Sequence, residues 1–314
     1  SFVSGWSRPT VIPELTNSAE YATLVNEIDA YDDKTPTYSD AEITKFADGS
    51  DLWRYPDTDW FDQVLKSWSM QSNANISLSG GNENLKTFVS LSTRHQDGFF
   101  KNSASKYDQH DLRANIDGKI NDYISLSVDA SLRLEQRDFP TASSANIFRN
   151  LMTGLPTQVA VWPNGLPGPP LDVTTQDNPV VQATRAAGTN ESDNYVFNVN
   201  AKLNVKIPWV KGLSLTATGA VDRGLNYQKY FSKLYELYTW DGTTLGSDNL
   251  PSLGKGAYGS SRLTQQLDIG KEYLINALIS YQRTINEVHD LNLLAGVEAI
   301  ENNSNWFSAE RRNF

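Results

Sequence analysis

The chain has 314 residues, with 27 Lys and Arg against 37 Asp and Glu, a formal net charge of −10 and no cysteine. That balance argues against nucleic acid as a partner, and zero cysteines exclude disulfides and thiolate metal sites. No run approaches the ~18 consecutive apolar residues of a transmembrane helix, but a membrane barrel also reads as hydrophilic because half of each strand faces water.

The chain opens on Ser1-Phe2 with no initiator Met, basic n-region or apolar h-region, as expected of a processed protein or an interior piece of a longer one. Phe2 to Arg8 reads as a strand, stopped by Pro9 and Pro13. Asn17 or Ser18 caps a helix to Ile28 with Tyr21, Leu24, Val25 and Ile28 on one face. Ser39-Asp40 caps a second, through Phe46. Thr58-Asp59 precedes a third, with Trp60, Phe61, Val64, Leu65 and Trp68 at helical spacing. Ala74, Ile76, Leu78 and Gly80 then alternate with polar residues, and Gly80 to Asn84 turns the chain. Leu85, Thr87, Val89 and Leu91 lie on one face of the next strand, whose polar face Phe88 interrupts.

The clearest pattern runs from Asp108 to Glu135. Leu112, Ala114, Ile116, Gly118 and Ile120 alternate with Arg113, Asn115, Asp117 and Lys119. After Asn121-Asp122, Ile124, Leu126, Val128, Ala130, Leu132 and Leu134 interleave with Ser125, Ser127, Asp129, Ser131, Arg133 and Glu135. A period of two puts each set on one face of a strand, so the stretch is an antiparallel hairpin. Each arm has about the 9–11 residues of a tilted membrane strand. On this hairpin alone, a barrel with a wet, charged interior and a soluble sandwich with a packed core fit equally.

Alternation lapses from Gln136 to Asn194, returns over Tyr195–Ile207 and Leu213–Val221, and lapses again from Asp222 to Gln265. Tyr273–Tyr281 and Leu291–Ala299 then pair across a turn at Thr284–Asp290. Short turns at 80–84, 121–122, 208–212 and 284–290 thus alternate with long connections at 9–71, 96–107, 136–194 and 222–265. A meander built this way is characteristic of outer-membrane barrels, whereas sandwich loops have no reason to alternate in length. The expected fold is all-β: an antiparallel transmembrane β-barrel meander of about nine strands from a larger barrel, with long, partly helical extracellular loops. An odd strand count cannot close with both ends on one side, and the open edges would need covering.

Chemistry is sparse. His95, His110 and His289 lie beside loop or turn ends without metal-ligand spacing. Gly80-Gly81 and Gly254-Lys255-Gly256 lack the context of a phosphate cradle and read as turns. Asp29/Asp32/Asp33 and Asp57/Asp59/Asp62 miss the EF-hand pattern and read as solvated loop acids. No cofactor is expected, and no carboxylate pair singles itself out for glycoside hydrolysis.

Aromatic residues say more. Tyr123, Tyr195, Phe197, Trp209 and Tyr273 fall at expected strand ends, where a membrane-interface girdle belongs. Trp53, Trp60, Trp162, Tyr238, Trp240 and Tyr258 fall in the long loops. Aromatic faces suit sugar and peptide recognition, so these six are the candidate substrate-binding residues, with packing inside the loops as the competing role.

Several segments resemble one family. Tyr55-Pro56-Asp57-Thr58-Asp59-Trp60-Phe61-Asp62-Gln63-Val64-Leu65-Lys66, Asn75-Ile76-Ser77-Leu78-Ser79-Gly80-Gly81-Asn82-Glu83, Phe88-Val89-Ser90-Leu91 and Gln96-Asp97-Gly98-Phe99-Phe100-Lys101-Asn102-Ser103 are similar to words of the SusC/RagA family. Leu112 to Asp117, Ile120 to Tyr123 and Val210 to Leu215 continue the likeness. These are TonB-linked outer-membrane transporters of Bacteroidetes. The resemblance is good from Tyr55 to Glu135, intermittent to Ile300 and weak in the long loops. It implies a barrel of about 22 strands filled by an N-terminal plug, capped by a SusD-like lipoprotein and driven by the TonB complex.

This chain shows no plug, TonB box or carboxypeptidase-like extension. Residues 1–314 are therefore expected to be the N-terminal portion of such a barrel, seated in the outer-membrane bilayer. The function that the resemblance implies is non-enzymatic uptake of oligosaccharide or peptide. Two alternatives are a non-transporting all-β surface glycan-binding protein and, more remotely, an enzyme on a β scaffold.

Overall fold

The computed structural model describes residues 1–102, 105–171 and 177–314. Ser103, which ends one of the quoted words, and residues 172–176 of the connection at 136–194 lie outside the described residues.

The alternating segments all become strands of one antiparallel sheet. They are β1 (Phe2–Ser7), β2 (Ser69–Gly81), β3 (Leu85–Asp97), β4 (Lys106–Lys119), β5 (Ile124–Phe139), β6 (Gly188–Lys206), β7 (Leu213–Ser232), β10 (Arg262–Ile285) and β11 (His289–Arg312). Each pairs with the next in chain order, which makes a nine-stranded meander open at β1 and β11. Two further short strands, β8 (Tyr235–Thr239) and β9 (Gly254–Tyr258), pair with each other within the connection between β7 and β10.

Short turns close one end for local reasons. The Asn82 Oδ1 accepts from the amides of Asn84 and Leu85, and the Asn121 Oδ1 from those of Tyr123 and Ile124. Asn286 and Glu287 both take positive φ, 54° and 60°, in the three-residue link between Ile285 and His289, where the Val288 amide donates to the Ile285 carbonyl at 3.2 Å. At Gly212, φ is 93° and an added Cβ would sit 2.0 Å from the Gln282 carbonyl oxygen, so the position needs glycine.

Register aligns the two faces across the whole sheet. Leu78, Val89, Ala114, Ala130, Val199, Val221 and Tyr273 form one row, and Thr87, Ile116, Val128, Ala201, Gly219, Ile275 and Ala299 another. On the opposite face Ser77, Ser90, Arg113, Ser131, Asn198, Asp222, Glu272 and Asn302 share a row. That face is knit by side-chain bonds: the Arg133 Nε donates to Asp111 at 2.7 Å, the Ser127 hydroxyl to Asp117 at 2.6 Å, and the Asn302 amide to Glu272 at 3.1 Å. Its apolar exceptions include Phe88, Phe139, Val196 and, on β10 and β11, Leu274, Leu278, Leu294, Ile300 and Trp306.

The apolar face is uncovered. Ile76 is 70% exposed, Leu112 44%, Ile275 69% and Val297 73%. No second sheet lies against it among the described residues, which removes the sandwich reading. Contiguous apolar surface of this extent marks contact with membrane or partner.

At the other end, the connections carry helices. α1 (Ser18–Tyr31) and α2 (Asp40–Asp48) each start in a capping box, Asn17 with Glu20 and Ser39 with Glu42. α3 (Trp60–Val64) is capped by Asp59, α4 (Ser144–Thr153) by Ser143, and α5 (Pro179–Gln182) by Asn178.

Several expectations are corrected. α3 stops at Val64, so Trp68 lies outside it, 52% exposed beneath the Arg8 guanidinium. Gly254-Lys255-Gly256 belongs to β9 rather than to a turn. The strands run past the expected bounds toward the long loops, which puts Tyr273 in the middle of β10 rather than at a strand end. The spans read as loop at 136–194 and 222–265 hold α4, α5, β8 and β9.

Candidate functional site

The loops share one apolar core. α3 contributes Trp60, Phe61 and Val64, with Leu65 just beyond it; the β3–β4 connection contributes Phe100, α4 contributes Ile147 and Leu151, and Ala160 and Ala183 complete it. Backbone bonds tie the same segments together: Lys66 N to the Phe99 carbonyl at 2.6 Å, Lys101 N to that of Val64 at 2.7 Å, and Thr58 N to that of Pro156 at 2.9 Å. The long connections thus form a packed body over one end of the sheet, not separate flexible excursions.

The six candidate aromatics divide. Trp60, 1% exposed, fills the loop core and donates its indole N–H to the Leu155 carbonyl at 2.9 Å, so it is placed for packing. Trp53, Trp162 and Trp240 come together from three different connections. Trp53 stacks on Trp162 with ring centroids 5.4 Å apart and meets Trp240 edge to face at 6.1 Å. Trp162 is buried, and its indole N–H donates to the Tyr238 carbonyl at 2.8 Å; the Tyr238 amide returns a bond to the Pro167 carbonyl at 3.1 Å. Tyr258 stands apart, opposite Tyr235 on the β8–β9 hairpin.

Polar groups frame this aromatic group. The Arg54 guanidinium lies 4.9 Å over the Trp240 ring and pairs with Asp51 at 3.1 Å. The Tyr238 hydroxyl donates to Glu236, which also pairs with Lys255 at 2.8 Å. The lysine holds the Glu236 carboxyl below its ordinary range, and the bond to Glu236 raises the Tyr238 phenol. Asp241 is held well below the carboxylate range because its oxygens accept from the Thr244 hydroxyl and the Thr243 and Thr244 amides. With Trp53 and Trp240 half-buried, the group offers partly open indole faces beside both charge signs, a surface suited to stacking on sugar rings or on peptide side chains.

A cleft of about 620 Å³ opens elsewhere in the loop body, lined by Tyr21, Asp57, Asp59, Phe61, Met152 and Leu155 among others. Sequence reading missed it, because its walls come from segments about a hundred residues apart. The acids weighed there as cation ligands have structural partners instead: Asp57 accepts from the Ser18 amide at 2.8 Å and Asp59 caps α3. Asp29 accepts from the Thr37 amide and hydroxyl. Of the histidines, His95 bonds Asp108 through Nδ1 at 2.5 Å and lies 3.3 Å from Asp97 through Nε2, while His110 meets the Thr93 hydroxyl.

No protein-family model matches the chain. Among curated proteins it is 25% identical over 290 residues to the TonB-dependent receptor P26 of Formosa agariphila, a match that covers 91% of this chain and 26% of that receptor. Among solved structures, the RagAB peptide transporter superposes with a TM-score of 0.70 at 16% identity, over all of this chain and 35% of the other. The RagAB peptide importer in its closed-closed state gives 0.68 at 17% identity, with the same coverage. The chain therefore spans about a quarter of the length of the curated relative and about a third of the structural ones. The sheet and its loops have the fold of part of that transporter, and the resemblance of this chain to the SusC/RagA-like TonB-linked transporters holds along nearly its whole length.

Proposed function

We propose that residues 1–314 form nine consecutive wall strands and the external loops of a larger outer-membrane barrel, a TonB-dependent nutrient importer of the SusC type. The observation that carries this reading is the uncovered apolar face, in register from β2 to β11 and backed by a mainly polar and charged face. On β5 it runs from Ile124 to Leu134, about 33 Å along the strand. At a tilt of about 40° that spans about 25 Å, the height of the lipid-facing band of outer-membrane barrels. The charged face then lines the wet interior, and the loop body faces outward.

The cargo in this reading is an oligosaccharide or a peptide, received by Trp53, Trp240 and Tyr238 over the buried Trp162, with Tyr258 a separate contact, together with a SusD-like lipoprotein. Energy comes from the TonB complex through a region N-terminal to these strands, and no bond in the cargo is made or broken. The peptide option draws support from the likeness to a peptide importer, and the sugar option from the stacked indoles.

The test is uptake of labelled oligosaccharides and labelled peptides by cells carrying or lacking the full-length gene. Uptake of one class that disappears on deletion and on collapse of the proton gradient is the expected result. Uptake of both classes unchanged by deletion would overturn the reading.

A further inference from the structure

On the apolar face, Arg223 and Lys271 are two cations side by side that make no ion pair among the described residues. β7 and β10 pair in unbroken register and set Arg223 directly opposite Lys271 on that face. Val221 and Tyr273 stand one row nearer the short turns, Leu225 and Ile269 one row nearer the loops, and Phe197 lies across from Arg223 on β6. Like charges directly opposite one another destabilise a sheet, and an uncompensated charge among apolar side chains does so further.

The usual remedies are missing here. The Arg223 guanidinium lies over the Tyr273 ring, 5.4 Å from its centroid, and donates to its hydroxyl, which carries no charge. Among the described residues neither cation makes an ion pair, although Lys106 and Lys229, nearer the loops on the same face, pair with Asp108 at 3.3 Å and Glu191 at 3.4 Å. The facing residue on β11 is the neutral Asn303; Glu301, opposite Tyr273 and diagonal to Lys271 on the same face, pairs with neither cation among the described residues.

Height supplies the second observation. Arg223 lies ten residues above Leu213, the first residue of β7, and Lys271 ten above Tyr281, the partner of Leu213, beyond which β10 runs four residues further to Ile285. Ten residues at about 3.3 Å and a tilt of about 40° lift the pair about 25 Å, to the boundary between the lipid-facing band and the headgroups of the outer leaflet.

We infer that Arg223 and Lys271 hold the phosphate of an outer-leaflet membrane lipid, an assignment that rests on the barrel-wall reading above. The planar guanidinium offers two parallel donors to phosphate oxygens and the ammonium a point charge beside them. The apolar neighbours select a lipid over a free anion: Phe197, Val221, Leu225 and Ile269 would be covered by the acyl chains, which inorganic phosphate lacks. Phosphate binding also removes the repulsion between the two cations.

The experiment uses the full-length protein extracted from membranes in mild detergent and titrated with bisphosphorylated lipid A, its dephosphorylated form, and inorganic phosphate, with thermal unfolding as readout. Bisphosphorylated lipid A should raise Tm, and Arg223→Gln with Lys271→Gln should weaken its apparent affinity about tenfold or more, as expected when charge-assisted hydrogen bonds are lost. Arg223→Lys with Lys271→Arg should retain the affinity, which separates charge from folding. Equal affinity in the wild type and the double Gln variant, or a full shift with inorganic phosphate, would overturn the site. Recovery of the wild-type protein outside the membrane fraction would overturn the barrel-wall reading as well, whereas a membrane-embedded protein indifferent to the substitutions overturns only the lipid site.

Discussion

Lysine at Val128 is expected to impair assembly of the full-length protein in the outer membrane. Val128 shares its row with Ile116, Ala201, Gly219 and Ile275, none of which offers a carboxylate. It lies four residues from Ile124 and six from Leu134, which places it roughly 10 Å into a band about 25 Å tall, close to the midplane. A lysine there costs about 2–4 kcal/mol, or roughly 30- to 700-fold in the assembly equilibrium. The adjacent Ser127 is the control. Its hydroxyl bonds Asp117 on the charged face, so a lysine at 127 finds a counter-ion that offsets the nearby Lys202. Heat-modifiable gel migration of outer membranes, at matched expression, reads the assembled fraction of each variant. Equal assembly of Val128→Lys and Ser127→Lys would refute the assignment of the two faces.

Trp60→Ala, at a position 1% exposed, should cost the loop body about 3–5 kcal/mol and speed proteolysis of the loops while barrel migration stays normal. Gly154→Ala should act in the same direction, since its Cβ would meet the Trp60 indole at 2.7 Å. Trp240→Ala removes an edge-to-face contact and the Arg54 stack, together about 1–2 kcal/mol, and should weaken binding of the cargo identified by the uptake assay. The Asp241 carboxyl is depressed in the folded protein, so its contribution is complete above the ordinary value of 3.8 and is lost as pH falls below that through the folded value. Hydrogen-exchange protection of the Thr243 and Thr244 amides should accordingly hold at neutral pH and fall in strong acid; protection unchanged by Asp241→Ala would contradict this.

The strands were legible where their two faces differ chemically and illegible where they do not. Leu126, Val128 and Ala130 against Ser127, Asp129 and Ser131 leave no doubt. Beyond Leu134 both faces are polar: Gln136 and Asp138 continue the apolar-face positions, and across from them stand Asp193 and Glu191. Period-two contrast vanishes there although the backbone ladder continues, so β5 and β6 read short at the loop end; on β7 and β10 the contrast resumes at Leu225 and Ile269 but is broken by Arg223 and Lys271. Helices with a capping box announced themselves at Asn17 and Ser39. α4 carries a comparable signal, Ser143 as cap with Ile147 and Leu151 one turn apart, in a span where the loss of alternation reads as loop. The grouping of Trp53, Trp162 and Trp240 had no sequence signal, because residues nearly two hundred positions apart meet only through the packing of whole loops. Nothing in sequence distinguishes Trp60 and Trp162, both buried, from the half-buried Trp53 and Trp240.

Cysteine scanning of the full-length protein in outer membranes, from Ile124 to Leu134, tests the barrel-wall assignment most directly. Each position is probed with one lipid-soluble and one water-soluble thiol reagent. Even positions reacting from lipid and odd positions from water is the predicted result. Even positions shielded from both reagents would mean that the apolar face is covered by protein, and the barrel wall would have to be abandoned.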